Sequence, residues 1–540
     1  MPRPGLHGVL APWEGVLTIP LKEVLVSVRW WQKGVIYQVY PRSFGDSDGD
    51  GVGDLHGIRT RLDHLEWLAI DAIWLSPIFR SPMADFGYDV ADYTDIEPLF
   101  GSLADLDELI TDAHRRGMRV LLDFVPNHSS AVHPWFDDSR STRESIKRDW
   151  YIWRDPAPDG GPPNGWQAAF GGSAWEWDAT TRQYYFHAFL PQPPDLNWAN
   201  PRVRSAMAEV LRFWLKRGID GFRIDVVWLL AKGAEIEPGE VAIDAANPLG
   251  GDQAAVHRYI AELRAAVDEF DDRLLIGEIY LPIERLVGYY GADGLGLHLP
   301  FNFQLLQLEW HVDAVHDAIT AYEALLTDSR WPNWVLGNHD NARVAARLGA
   351  AQARVAAMLL LTLRGTPTIY YGDEIGMADV DVPIDAQRDP QGLRGGRSRD
   401  PARTPMRWDG SPQAGFTTGD PWLPIGPDVG SNNVRAQAGE PDSMLSLHRR
   451  LLRLRRAEAA LNVGQWRDLG RAGTALAYLR TDGARRFLVC LNLADEPSAL
   501  HDAAAELRGS VVISTLGTAT QRFIDRRELA GDEGLVVLLD

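Results

Sequence analysis

The sequence predicts an α/β protein built on a (β/α)8 barrel, or TIM barrel, with a loop-rich subdomain inserted after the third strand and a C-terminal antiparallel β-sandwich domain. Three observations lead to this prediction. Eight short apolar segments alternate with amphipathic helical patterns, which is typical of a parallel sheet closed into a barrel. An aromatic- and proline-rich segment interrupts that alternation once. Short alternating runs replace it near the C-terminus.

The predicted barrel strands are short runs rich in β-branched and aromatic residues. Helical patterns such as DLDELITDAHRRGM and VRSAMAEVLRFWLKRG lie between them, and in each a Gly follows basic residues, which signals a helix C-terminus. We therefore assign residues 29–128 and 203–460 to the barrel. The strand segments in chain order are GVIYQVY (34–40), DAIWLSP (71–77), MRVLLDFV (118–125), GFRIDVV (221–227), RLLIGEIY (273–280), GLHLPFNF (296–303), NWVLGNHD (333–340) and TPTIYYGDE (366–374).

Three segments lie outside the barrel. Residues 129–202 are rich in Trp, Pro, Gly and Asp without a helical period, so we expect a loop-rich inserted subdomain. Residues 461–540 contain ALAYLR, RRFLVCLNL, SVVIST and LVVLLD, whose alternation predicts antiparallel strands. Residues 1–28 precede the periodic pattern, and we expect a disordered N-terminal extension.

Composition restricts the partners. Lys and Arg number 54 against 74 Asp and Glu, a net charge of −20 that disfavours nucleic acid and anionic membranes as partners. A small neutral substrate fits best. The one cysteine, Cys490, excludes intramolecular disulfides and thiolate zinc clusters. The chain shows no run as long as a membrane span and no signal-peptide pattern, so we expect a cytoplasmic monomer or weak homo-oligomer.

Polar side chains gather where the predicted strands end. In a (β/α)8 barrel these carboxyl ends meet at the active-site rim. Structural ion pairs or caps at each strand end are the alternative explanation, but they would have to recur by coincidence on four strands. Carboxylate catalysis is the chemistry that such a set favours, since no metalloprotease motif is present. The residues are Asp123, Asn127, His128, Arg223, Asp225, Glu278, Asn338, His339 and Asp340.

Arg223 and Asp225 are two residues apart, so in a strand their side chains point to the same side. A buried structural ion pair is one explanation for this pattern. A catalytic role is the other explanation. A pair of carboxyl groups that cleaves a glycosidic bond needs one ionised and one protonated member, and an arginine would keep the first one ionised. We expect Arg223 to hold Asp225 ionised, and we expect the apolar neighbours of Glu278 to raise its pKa.

Several ordered motifs resemble the α-amylase family of glycoside hydrolases, and the match extends from about Trp30 to the C-terminus. DFVPNHSS (123–130), GFRIDVV, GEIY (277–280) and GNHDNAR (337–343) resemble its four signature regions. PPDLN (193–197) and GTPTIYYGDEIGM (365–377) resemble its fifth region and its eighth-strand region. SRDPARTPMRWD (398–409) and PWLP (421–424) resemble the α-glucosidase and oligo-1,6-glucosidase branch.

The resemblance implies a retaining double-displacement mechanism on α-linked glucose. By that match Asp225 is the nucleophile, Glu278 the general acid/base and Asp340 the carboxylate that stabilises the transition state. No cofactor is expected for this catalysis. The residues matched to substrate binding are Arg223, His128 and His339 around the glucosyl unit, Asp85 and Tyr88 at its non-reducing end, Phe170 as an aromatic wall and Arg399 over the leaving-group sugar.

Val226 follows the nucleophile directly. In the oligo-1,6-glucosidase relatives, Val at this position goes with α-1,6 cleavage, whereas Thr or Ala goes with α-1,4 cleavage. The resemblance therefore predicts that Val226 favours isomaltose at least as much as maltose.

The stretch DSDGDGVGDL (46–55) alternates acids with glycines, a pattern that can fold carboxylates around a hard cation. An EF-hand is excluded, because its twelfth position would need Glu and holds Gly57. The α-glucosidase branch carries such a loop as a structural Ca²⁺ or Mg²⁺ site. The ligands implied by that match are Asp46, Asp48, Asp50, the Val52 carbonyl and Asp54.

We therefore expect an exo-acting retaining α-glucosidase that releases terminal non-reducing glucose from short oligosaccharides, with α-1,6 activity. Two alternatives remain. One is a transglucosidase or a sucrose- or trehalose-acting isomerase of the same family, in which a sugar replaces water as the attacking group. The other is a non-catalytic sugar-binding relative, which the presence of all three acids disfavours.

Overall fold

A parallel eight-stranded sheet, rolled into a barrel, forms the centre of the computed structural model, which describes residues 28–232, 250–327, 330–394, 396–517 and 522–540. The strands pair in the order β6-β5-β4-β3-β2-β1-β8-β7, so neighbours in sequence are neighbours in space. Each predicted segment contains one strand, and the barrel prediction is confirmed. The strands are β1 (Ile36–Val39), β2 (Ala72–Leu75), β3 (Arg119–Phe124), β4 (Gly221–Ile224), β5 (Leu274–Gly277), β6 (Leu299–Pro300), β7 (Asn333–Val335) and β8 (Thr366–Tyr370).

Helices follow the strands around the outside of the barrel. In helix Leu103–Arg115, Ser102 and Asp105 accept each other's backbone N–H in a reciprocal cap. Its Leu106 and Leu109 are buried, as expected for a one-sided apolar face. The principal helices after the successive strands are Leu62–Leu68, Leu103–Arg115, Pro201–Arg217, Ala255–Val267, Ile283–Leu286, Val312–Leu325, Val344–Thr362 and Met444–Ala457.

Apolar side chains fill the lower part of the barrel interior. Ile36, Ala72, Leu121, Leu274 and Ile276 belong to one buried cluster there. Side chains two residues further along a strand point to the same face. The residues two positions after Leu121 and Ile276 are carboxylic acids, and so polar groups lie directly above this apolar layer, at the carboxyl ends.

The inserted subdomain is more regular than the sequence predicted. It contains the helix Pro134–Ser141 and a three-stranded antiparallel sheet with Gln183–Phe186 in the middle. Phe136 packs against Trp153 and Tyr185, with ring centroids 5.7 and 5.1 Å apart. Aromatic packing therefore supplies a small core without the periodic pattern that would reveal it in the sequence. The outer strands of the sheet are Trp153–Arg154 and Trp175–Asp178.

The C-terminal domain is a six-stranded antiparallel sheet with the order β9-β10-β11-β14-β12-β13, accompanied by the two-stranded sheet of Ser498–Ala499 and Glu528–Leu529. It packs against helix Val344–Thr362, where the Tyr478 and Thr362 hydroxyls lie 2.5 Å apart. That helix is long and apolar enough to cross a membrane, but more than half of its apolar stretch is buried inside the protein. The six strands are β9 (Gln465–Ala472), β10 (Ala475–Asp482), β11 (Arg485–Asn492), β12 (Gly509–Ser514), β13 (Arg522–Phe523) and β14 (Gly534–Leu539).

Candidate active site

A pocket of about 350 Å³ opens at the carboxyl ends of the barrel strands. It brings together ten of the eleven residues that the sequence assigned to catalysis or substrate binding. The eleventh, Arg223, lies buried beneath the pocket floor, and its side chain contacts residues of the lining. The ten are Asp85, Tyr88, His128, Phe170, Asp225, Val226, Glu278, His339, Asp340 and Arg399.

The Arg223 guanidinium bridges three carboxylates. Its Nη1 donates to Oδ1 of Asp123 and Oδ1 of Asp225, at 2.8 Å in each case. Its Nη2 lies 2.7 Å from Oε2 of Glu278. All four side chains are buried, so one cation faces three acids in a region of low dielectric constant.

This charge balance decides the protonation of the cluster. Burial raises the pKa of Asp225, and the charges of Glu278 and Asp123 raise it further, although Arg223 opposes them. Arg223 favours the ionised form of Asp225, as expected, but burial and two further acids oppose it, and the sequence did not show how close those acids lie. Burial also raises the pKa of Glu278, as expected, and that of Asp123 to about 6. A shared proton on the cluster suits a site that needs one acid and one nucleophile.

The position of that proton follows from the contacts of Glu278. Its Oε2 accepts the backbone N–H of Val226 at 2.8 Å as well as the contact from Arg223. An oxygen that accepts an N–H and also pairs with a guanidinium is the unprotonated one, so we place the proton of the acid form on Oε1. Val226 makes this contact from a left-handed backbone, φ 35° and ψ 45°. For a β-branched residue that conformation costs on the order of 1–3 kcal/mol.

Asp340 has the opposite environment. Burial would raise its pKa, but His339 in its protonated form and the guanidinium groups of Arg399 and Arg403 outweigh burial and hold the pKa well below its usual range. Its Oδ1 lies 3.2 Å from Nη1 of Arg399 and 3.0 Å from Nη2 of Arg403. The pocket therefore contains one permanently ionised carboxylate, suited to stabilising positive charge on a sugar ring.

Two neutral histidines line the pocket. Burial lowers the pKa of His339 to about 3 and that of His128 to about 4. The Tyr88 ring stacks on His339 with planes 3° apart and its hydroxyl 2.6 Å from Nε2. The His128 Nε2 lies 3.1 Å from the Tyr88 carbonyl. Tyr88 is thus held as a flat wall at the base of the pocket.

Arg399 closes the pocket on the side of Asp85. Its Nη2 donates to Oδ1 of Asp85 at 3.2 Å, and its guanidinium lies 5.3 Å from the centre of the Phe170 ring. Phe170 belongs to the inserted subdomain and Arg399 to a barrel loop. Their contact joins the two parts of the chain across the rim.

Six further lining residues were not assigned from the sequence. Trp228 and Tyr280 follow the fourth and fifth strand ends within four residues, so their position was available as a signal. The others lie in segments without periodicity, where long-range packing decides which side chains reach the pocket. The six are Ala169, Phe189, Trp228, Leu229, Tyr280 and Gln391.

The acidic loop lies between helices Pro41–Phe44 and Leu55–Thr60. Carboxylate oxygens of Asp46, Asp48 and Asp50 all lie within 4.8 Å of one another. Burial raises the pKa of Asp50, and the charges of the other acids raise it further, a repulsion that a cation would relieve. This donor set fits a hard cation such as Ca²⁺ or Mg²⁺. The Asp54 carboxylate accepts the backbone N–H groups of Ser47 and Gly57 at 2.7 Å and lies outside this group of three, and its role as a ligand, like that of Val52, stays a prediction.

Comparison with known proteins supports the same assignment. The family model "Alpha amylase, catalytic domain" matches residues 38–464. A Rhizobium meliloti (strain 1021) protein named "Probable alpha-glucosidase" is 40% identical over 495 residues, covering 86% of this chain and 90% of that protein. The oligo-1,6-glucosidase of Heyndrickxia coagulans is 37% identical over 514 residues, covering 86% of this chain and 92% of that protein.

Solved structures agree with the sequence comparison. The trehalulose synthase of Pseudomonas mesoacidophila MX-45 superimposes with a TM-score of 0.88 at 34% identity, covering 95% of this chain and 100% of that one. An alpha-glucosyl transfer enzyme gives a TM-score of 0.86 at 36% identity, with the same coverage. Together with the site geometry and the length of the family match, these findings show that the chain belongs to the alpha-amylase family of glycoside hydrolases.

Proposed function

We propose that this protein is an exo-acting retaining α-glucosidase that hydrolyses terminal non-reducing α-linked glucose from short oligosaccharides, including α-1,6-linked isomaltose. One observation carries the proposal. Asp225 and Glu278 share a guanidinium at the floor of the pocket, and the permanently ionised Asp340 faces the same space. Relatives named as oligo-1,6-glucosidase and glucan 1,6-alpha-glucosidase support the linkage.

In the first step the Asp225 carboxylate attacks the anomeric carbon of the terminal glucose. The bond from that carbon to the glycosidic oxygen breaks, and the proton on Oε1 of Glu278 passes to the departing oxygen. A covalent β-glucosyl ester on Asp225 forms, and the remainder of the substrate leaves as an alcohol. Positive charge on the ring in the transition state is stabilised by Asp340.

In the second step Glu278, now a carboxylate, takes a proton from a water molecule whose oxygen attacks the anomeric carbon. The ester bond to Asp225 breaks, and glucose leaves with its original α configuration. Both catalytic carboxyl groups return to their starting protonation, so the cycle closes.

The pocket shape supports exo action on short substrates. Asp85 and Arg399 close one side, and the inserted subdomain covers another through Phe170. A glucan chain threading through the site would have to displace this rim. A single terminal glucosyl unit needs only the pocket volume of about 350 Å³.

A transglucosidase or a sucrose- or trehalose-acting isomerase is the second candidate. The similarity to a trehalulose synthase and to an alpha-glucosyl transfer enzyme favours it. In that reaction a sugar hydroxyl, instead of water, attacks the ester on Asp225. A non-catalytic sugar-binding protein would have no use for a proton-sharing acid pair, so we place it last.

We further propose that Asp46, Asp48 and Asp50 hold a structural Ca²⁺ or Mg²⁺, with Val52 and Asp54 as additional ligands. Such an ion would fix the loop ahead of helix Leu55–Thr60 and take no part in the bond cleavage. We also propose a cytoplasmic monomer or weak homo-oligomer that acts on a small neutral sugar. Sedimentation tests the oligomeric state, and cell fractionation tests the cytoplasmic location.

The test of function is direct. The wild-type protein is incubated separately with isomaltose, maltose, sucrose and trehalose, and the products are quantified over time. We expect glucose from isomaltose and maltose with first-formed α-anomer, and no measurable product from the Asp225→Asn variant. Rearranged disaccharides as main products would favour the isomerase, and an active Asp225→Asn variant would refute the nucleophile assignment.

A further inference from the structure

A buried carboxylate outside the pocket holds part of the pocket wall. The loop between β8 and helix Met444–Ala457 contributes Gln391 and Arg399 to the pocket lining. Asp389 lies on the same loop, is fully buried and does not line the pocket. Nothing in the catalytic scheme requires this acid.

The contacts of Asp389 converge on the two pocket residues. Its Oδ1 accepts Nη2 of Arg399 at 2.6 Å, and its Oδ2 accepts the backbone N–H of Arg399 at 2.7 Å. Its Oδ1 also accepts the backbone N–H of Gln391 at 3.3 Å. The Asp389 backbone is itself held, because its N–H donates to Oδ2 of Asp400 at 2.9 Å. One carboxylate thus fixes both residues that the loop presents to the pocket.

Asp389 is the nearest of the three acids to the Arg399 guanidinium. Asp85 and Asp340 contact it from the pocket side at 3.2 Å each, against 2.6 Å for Asp389 from behind. A guanidinium drawn only by the two pocket acids would move toward the glucosyl site. The contact with the buried acid opposes that movement and keeps the guanidinium 5.3 Å from the centre of the Phe170 ring at the rim.

Gln391 has an unused amide at the same rim. Its half-buried side chain makes no hydrogen bond to any residue within the described parts of the chain. A free amide offers two donors and one acceptor, which suits hydroxyl groups of a sugar. Gln391 and Arg399 lie on the pocket wall contributed by this loop, whereas Asp225 and Glu278 occupy the floor.

We propose that Asp389 is a positioning residue for the leaving-group subsite. By holding Gln391 and Arg399 together, it sets the place where the second sugar unit binds and so favours substrates whose leaving group is a sugar. The inference rests on the proposed glucosidase function and adds Gln391 as a direct contact to the leaving-group hydroxyls.

The experiment compares a substrate that fills this subsite with one that does not. Isomaltose has a glucose leaving group, whereas α-glucosyl fluoride carries the same glucosyl unit with only a fluoride ion. For Asp389→Asn we expect kcat/KM for isomaltose to fall about 10- to 30-fold, mainly through KM, and kcat/KM for the fluoride to change by at most about threefold. Gln391→Ala should also lose kcat/KM selectively for isomaltose, but by a smaller factor than Asp389→Asn.

Two further variants complete the set. Asp389→Glu keeps the charge and should recover part of the isomaltose activity. Asp385→Asn removes an exposed acid four residues earlier and should match the wild type on both substrates. Equal losses on both substrates for Asp389→Asn and Gln391→Ala, or no loss on either, overturn the proposal. A wild-type protein inactive on both substrates would instead overturn the glucosidase function itself. Should Asp389→Asn fail to fold, Gln391→Ala alone decides.

Discussion

The backbone N–H of Val226 donates to Oε2 of Glu278 over 2.8 Å, so the residue after the nucleophile also holds the acid/base. Val226 reaches this position through a left-handed backbone that Val rarely adopts. Position 226 therefore has two effects. Its side chain faces the pocket, and its main chain leaves Oε1 as the oxygen that carries the catalytic proton.

A variant that cannot donate this proton should lose activity to a degree that depends on the leaving group of the substrate. For Glu278→Gln we expect kcat/KM on isomaltose to fall about 10³-fold, because a sugar alkoxide departs poorly without a proton. On α-glucosyl fluoride the loss should stay within about tenfold, since fluoride leaves unprotonated. Initial rates on both substrates measure this. Glu284→Gln, which changes an exposed acid, is the control, and an equal loss on both substrates would contradict the acid role.

The side chain of Val226 should influence linkage preference. Val226→Thr keeps the β-branch and the N–H donor but adds a hydroxyl inside the pocket. We expect the ratio of kcat/KM for isomaltose to that for maltose to fall about five- to tenfold. Val132→Thr makes the same change at an exposed position and should leave the ratio as it is. An unchanged ratio in Val226→Thr would show that this side chain does not determine the linkage preference.

The sequence predicted the barrel and most of the pocket because strand ends are visible in it. A strand pattern fixes which residues share a face, and eight ends of a barrel meet on one rim, so Asp225, Glu278 and Asp340 could be grouped without coordinates. The family motifs then supplied roles. Local pattern was enough wherever a functional residue directly followed a strand.

The features of the site that the sequence could not show are those that depend on contacts between distant segments or on local backbone conformation. The raised pKa of Asp225 results from burial and from the charges of Glu278 and Asp123, whose closeness no single strand reveals. Gln391 reaches the pocket on a loop with no periodicity. The unusual backbone of Val226 is equally hidden, since its residue type argues against a left-handed conformation.

Because Asp123, Asp225 and Glu278 lie around one guanidinium, we expect removal of the Asp123 charge to change the pH dependence of kcat/KM. That charge raises the pKa of Asp225, so Asp123→Asn should lower that pKa and move the acid limb of kcat/KM to lower pH. The lower activity expected of the variant does not affect the position of the limb. The pH profile on α-glucosyl fluoride measures it, with Asp92→Asn as the exposed control. A limb displaced to higher pH would contradict the charge coupling.

The acidic loop predicts stabilisation by divalent cations. Ca²⁺ or Mg²⁺ added at about 100 times its dissociation constant should stabilise the folded protein by about 2.7 kcal/mol, seen as a rise in Tm. Chelation with EDTA should reverse the rise. In Asp50→Asn the ion should have little effect, whereas Glu144→Gln, which neutralises an exposed acid elsewhere, should respond as the wild type does. A wild-type Tm indifferent to both ions would refute the site.

Buried histidines predict a loss of stability in acid. Burial lowers the pKa of His448 to about 4, whereas an unfolded chain has the ordinary value of about 6.5. Between these values the unfolded state binds more protons than the folded state. The stabilising contribution is therefore complete above pH 6.5 and is lost as the pH falls toward 4, by about 3 kcal/mol at most.

Urea unfolding at several pH values from 4.5 to 7.5 tests this without reference to activity, since His448 is buried and does not line the pocket. His448→Gln removes the proton site while keeping a polar side chain, so the slope of unfolding free energy against pH should become shallower by up to one proton. His56→Gln, on the exposed side of helix Leu55–Thr60, should keep the wild-type slope. An unaltered slope in His448→Gln would show that this histidine is protonated in the folded state as readily as in the unfolded one.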